Sequence, residues 1–99
     1  MANDPAVVAA ILRDAPDGPI ELTKPSGDVI FIAPATRAGV AWQGSKFDKH
    51  GPYGHNESQS REQAVERAVD DGFHTLSPGA LDDLYAAHGG SWWTPDHNR

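Results

Sequence analysis

The sequence predicts an α+β class domain: a small antiparallel sheet of two to three strands packed against about three helices. Three observations predict it. Residues 20–23 (IELT) and 29–32 (VIFI) are short strand-like runs divided by turn residues. Three other stretches carry apolar residues at helical spacing behind capping signals. The order is one helix, then strands, then two helices, which segregates the helices from a sheet whose neighbours join by short turns.

Each element has its own warrant. Asp4-Pro5 reads as a helix start. The carboxylate can accept from first-turn amides, and proline at the first helical position loses no needed bond. Val8, Ile11, Leu12 and Ala15 follow on one face, and Pro16-Asp17-Gly18-Pro19 ends the element. Ile20-Glu21-Leu22-Thr23 alternates apolar and polar, as a half-buried strand does. Lys24-Pro25-Ser26-Gly27 is a turn. Val29-Ile30-Phe31-Ile32 is continuously apolar, which predicts a central strand covered on both faces and stopped by Pro34. Val40-Ala41-Trp42-Gln43 is read as a third strand, or as a short helix running from Thr36.

Residues 44–60, GSKFDKHGPYGHNESQS, follow neither the 2.0 nor the 3.6 period. Residues 44–59 are therefore expected to be an irregular loop, long for so small a domain. Ser60 and Gln63 form a capping box, and Ala64, Val65, Ala68 and Val69 make the apolar stripe of the second helix. Gly72 closes it. Phe73-His74-Thr75-Leu76 is a short extended piece, with His74 a satisfied core-edge histidine. Ser77-Pro78 starts a third helix whose inner face is Leu81, Leu84, Tyr85 and His88, ended by Gly89-Gly90. Residues 1–90 are expected to form the compact domain and 91–99 a tail containing Trp92 and Trp93.

Composition narrows the chemistry. The chain has 99 residues, 38% hydrophobic and 22% charged, which suits one soluble domain with a modest core. It has no cysteine, so disulfide frameworks, thiolate metal sites and thiol nucleophiles are excluded. The N-terminal apolar run is short, broken by charge and lacks a basic flank, so neither a signal peptide nor a membrane span is expected. The expected location is cytoplasmic. Net charge is −6, and residues 61–99 hold seven acids against three arginines. That disfavours nucleic acid and anionic membrane and suits a basic protein surface. Richness in Ala, Gly, Asp and Pro points to a GC-rich bacterial or phage genome.

Three sets of residues are candidates for function. Glu62, Glu66 and Asp70 recur every fourth residue, on one face of the second helix, where like charges cost a few tenths of a kcal/mol per pair. They read as a solvated face or as an anionic strip for docking, diluted by Arg61 and Arg67. Trp92 and Trp93 each bring roughly 150–250 Å² of burial potential, either to plug the core or to anchor a partner. Tyr53 is the aromatic in the irregular stretch that fits a contact role. The leading expectation is a small acidic protein-binding module, of phage or mobile-element type. It would dock on a larger, basic-surfaced protein and modulate or inhibit it through Tyr53, Glu62, Glu66, Asp70, Trp92 and Trp93. A homodimer is compatible with this, and no cofactor is expected.

Two alternatives come from other classes. His50, His55 and Glu57 offer imidazoles and a carboxylate for a metal-dependent or histidine-using hydrolase, but the spacing does not aim them as one helix face would. No nucleophile elbow or phosphate-cradling glycine motif appears. Lys46, Lys49, His50, Phe47 and Tyr53, with Trp42, could contact nucleic acid, against the overall charge.

Overall fold

The structure, a computed structural model, describes residues 4–35 and 39–87. The chain opens as the capping signal requires. The Asp4 carboxylate accepts from the backbone N–H groups of Ala6 at 3.0 Å and Val7 at 3.4 Å, and Pro5 begins α1 (Pro5–Asp14). β1 (Ile20–Thr23) and β2 (Val29–Pro34) form a hairpin in which Gly27 takes the left-handed backbone, φ +98°, and donates to the Lys24 carbonyl at 2.9 Å.

The sheet has five strands, so the expectation of two to three is wrong, although the α+β class stands. Residues 44–59, expected as an irregular loop, lie mostly in β3 (Trp42–Asp48) and β4 (Gly51–Ser58), a second hairpin. β5 (Thr75–Leu76) is a two-residue strand on the far side of β1. The order is β4-β3-β2-β1-β5, and each neighbouring pair is antiparallel. The physical reason for the misreading is twofold. An edge hairpin buries few side chains, so its strands show little apolar alternation. A register shift at Lys46/Phe47 also leaves Tyr53 as an extra residue between the Gly54 and Pro52 pairings, and that β-bulge breaks the two-residue period.

α2 (Arg61–Asp70) carries the predicted stripe, with Ala64, Val65, Ala68 and Val69 all buried. Its capping box is displaced by one residue. Ser60 Oγ accepts from Gln63 N at 3.0 Å, while the Gln63 side chain accepts from Gln59 N at 2.8 Å rather than from Ser60. α3 (Ala80–Ala87) starts differently from expectation. Ser77 Oγ pairs with Thr23 Oγ1 at 2.9 Å, and it is the Glu21 carboxylate, from β1, that accepts from Gly79 N. His74 Nε2 sits 3.0 Å from the Val69 carbonyl, near the end of α2, and donates to it.

Two helical layers sandwich the sheet. α1 and α2 cover one face, where Ile20, Leu22, Ile30, Ile32, Val65 and Phe73 are buried together. α3 covers β1 and β2 on the other, where Leu81 closes over Val29 and Phe47 with Phe31, Leu84 and Tyr85 at its margin. The run Val29-Ile30-Phe31-Ile32 therefore feeds both cores in turn, as its unbroken apolarity predicts. No described helix is long and apolar enough to cross a membrane.

Candidate partner-binding surface

The bulge gives β4 its most distinctive side chain. Among the described residues Tyr53 is the large hydrophobic residue left exposed, at 45%. It is nevertheless held. Its hydroxyl donates to Asp28 Oδ2 at 3.0 Å, in the β1–β2 turn. The Lys46 ammonium lies 5.7 Å from the ring centroid, a cation–π approach. Lys46 in turn reaches Asp71 Oδ2 at 3.2 Å. Asp71 caps the C-terminus of α2, where a cation also meets the negative end of the helix dipole.

Local sequence explains why Lys46 takes this path. In β3 it pairs with Ile30 on one side and Gly54 on the other, so it points to the α2 face. Gly54 has no side chain, and the Lys46 stem lies over it: an added Cβ would meet Lys46 Cε at 3.3 Å. Gly44, two residues earlier on the same face, is buried against Ile30, whose Cδ1 would lie 2.9 Å from an added Cβ.

The tyrosine is electrostatically conservative. Partial burial of its hydroxyl, the bond to Asp28, and the charges of Asp28, Asp71 and Asp48 all hold the phenol neutral, raising its pKa well beyond the ordinary tyrosine range. It presents an uncharged ring inside an acidic surround.

The predicted contact residues divide. Asp70 and Glu62 are exposed on α2 and Glu66 is half-buried. The C-terminal end of that acidic face adjoins Asp71 and so, through Lys46, Tyr53. Glu62 lies two turns away, about 12 Å along the axis. Trp92 and Trp93 lie outside the described residues, as does His88.

The structure separates the alternative sets. Phe47 is buried, at 4% exposure, on the α3 side, and Lys46 faces α2, so these two residues of the nucleic-acid alternative do not share one surface. Exposed His50 sits in the β3–β4 turn, its N–H on Asp48 Oδ1 at 2.7 Å. His55 and Glu57 lie on β4 with Nε2 and Oε2 3.7 Å apart. Among the described residues no three His, Asp or Glu side chains converge as metal ligands. A shallow groove on the α3 side is lined by Phe31, Gln43, Ser45, Pro52 and His55.

Sequence reasoning picked out Tyr53 but missed Asp28, Lys46 and Asp71 as the groups that fix it. Both links join residues 25 apart in the chain, and no local pattern announces them. No protein-family model, curated protein or solved structure matches the chain.

Proposed function

We propose that this chain is a cytoplasmic acidic protein-binding module that docks on a larger protein with a basic surface and modulates or inhibits it. The observation that supports the reading is Tyr53: an exposed aromatic held in place by Asp28 and Lys46 beside the acidic end of α2. A pre-positioned tyrosine offers contact area at low conformational cost, and interface hot spots are rich in this residue. Glu62, Glu66 and Asp70 supply steering toward a basic partner. Trp92 and Trp93 contribute a second apolar anchor.

The test is capture from a nuclease-treated bacterial lysate. Four baits are compared: wild type, Tyr53→Ala, Glu62→Lys/Asp70→Lys and Trp92→Ala/Trp93→Ala. The expected result is one stoichiometric protein partner, weakened by Tyr53→Ala and made less salt-sensitive by the lysine pair. A partner retained equally by all four baits, or no partner at all, would overturn the reading.

A further inference from the structure

α3 lies over β1 and β2 and reaches as far as Phe47 of β3. It starts beside Glu21, whose carboxylate accepts the Gly79 N–H, and Leu81 packs on Val29 and Phe47. Leu84 then borders a hollow with Asp28, Asp48, Lys49 and His50. The last turn of α3 therefore lies by the two hairpin turns.

Beyond Phe47 the same sheet face continues as the shallow groove. Gln43, Ser45 and Phe47 alternate onto it from β3, and His55 of β4 stands directly opposite Ser45. Phe31 and Phe47 have interactions of their own, and Phe47 is 4% exposed. What an occupant would cover is chiefly the margin of Gln43, Ser45, Pro52 and His55.

That margin sets apolar surface beside groups that accept a hydrogen bond. Gln43 Nε2 donates to Ser45 Oγ at 3.3 Å, and the carboxamide oxygen of Gln43 and the imidazole of His55 are acceptors by chemistry. A tryptophan matches this. It brings a broad apolar ring with one N–H donor and no acceptor, and a buried indole N–H normally takes a partner.

The chain carries such residues close by. After Ala87 the sequence runs His88-Gly89-Gly90-Ser91-Trp92-Trp93. Five residues span at most about 16–18 Å. From Phe47 to Gln43 the groove extends about 14 Å along β3, four residues at strand rise. The two tryptophans can therefore reach the groove from the end of α3, and the two glycines permit the reversal that this path needs. Adjacent residues of an extended chain face opposite ways. One indole can fill the groove while the other stays outward for the anchoring role proposed above.

We infer that the segment after α3 folds back along this groove and seats one of its two adjacent tryptophans against Gln43, Ser45, Pro52 and His55. The occupant is this chain's own C-terminal segment. The inference is independent of the docking reading, because it needs no partner and is tested on the isolated chain.

Acrylamide quenching of the full chain tests it. Trp42→Phe removes the third tryptophan, so emission reports Trp92 and Trp93 alone. About half of that emission is expected to resist the quencher, one indole being covered and the other not. In this background Ser45→Arg and His55→Arg each place a charged stem in the groove. Each is expected to make the protected half accessible. Glu62→Arg, exposed on α2 across the sheet, is expected to change nothing. Far-UV circular dichroism verifies that each variant folds, and the exposed His55 position keeps the test decisive if Ser45→Arg does not. Emission that is wholly accessible in the folded chain overturns the inference. So does protection that neither arginine relieves, or protection that fades on dilution, which would place a second copy in the groove.

Discussion

The Tyr53 hydroxyl rests on Asp28 at 3.0 Å, tying the bulge of the edge strand to a turn 25 residues earlier in the chain. The bond makes an exposed ring part of the framework. It also sets how the phenol titrates.

The phenol is the first prediction. Its folded pKa lies above its unfolded one, chiefly through partial burial and then the Asp28 bond. The resulting stabilisation is complete below the ordinary tyrosine range, near pH 10, and is lost as pH rises above it. The difference in phenolate absorbance between wild type and Tyr53→Phe isolates this group from Tyr85. Tyr53 is expected to ionise only in strongly alkaline solution, with or after unfolding. A Tyr53 that titrates near pH 10 in the folded protein would refute the geometry.

Two glycines on one face of the sheet should behave differently. An added Cβ at Gly44 would press on Ile30 Cδ1 at 2.9 Å and Cγ1 at 3.3 Å, inside the core. At Gly54 it would meet only the Lys46 stem, whose end can move. Gly44→Ala is therefore expected to destabilise by about 1–3 kcal/mol, the usual cost of overpacking. Gly54→Ala is expected to cost less than half as much. Urea unfolding at neutral pH compares the two, and equal losses would contradict this placement of β3.

Ser58 makes the opposite case. It is 2% exposed, and its hydroxyl finds no hydrogen-bond partner among the described residues. Burying an unpaired hydroxyl costs free energy. Ser58→Ala is expected to be neutral or stabilising by up to about 1 kcal/mol. A loss of more than that in urea would reveal a bond to the hydroxyl.

Leu81 holds α3 to the sheet. It is 2% exposed and packs with Val29 and Phe47. Leu81→Ala is expected to destabilise by about 2–4 kcal/mol, as deletions of buried leucine do. The exposed Asp82→Ala, its neighbour, is expected to change stability by less than about 0.5 kcal/mol. Thermal melts of both decide it.

How much of this was legible in the sequence depends on how local its cause was. The Asp4 cap, the α2 stripe and the two-sided burial of residues 29–32 follow from neighbouring residues and came through. Glu21 reaching the start of α3 and Lys46 reaching Asp71 are long-range arrangements, and no spacing rule reports them. The β3–β4 hairpin failed for a different reason. Its glycines, Pro52 and the Tyr53 bulge are devices that shape an edge strand, and in one dimension they look like the vocabulary of a loop. Of the candidate site, Tyr53 and the acidic face of α2 were visible in the sequence. What fixes Tyr53 was not.

The double burial of β2 makes that strand a party wall between two apolar rooms. Ile30 and Ile32 line one room, and Val29 and Phe31 face the other. Neither helical layer can leave without wetting one side of the same backbone. The two rooms should therefore be vacated together, and the molecule should melt as one cooperative unit despite its two apolar clusters. The amides of Ile30 and Phe31 would then exchange with solvent only when the whole house comes down.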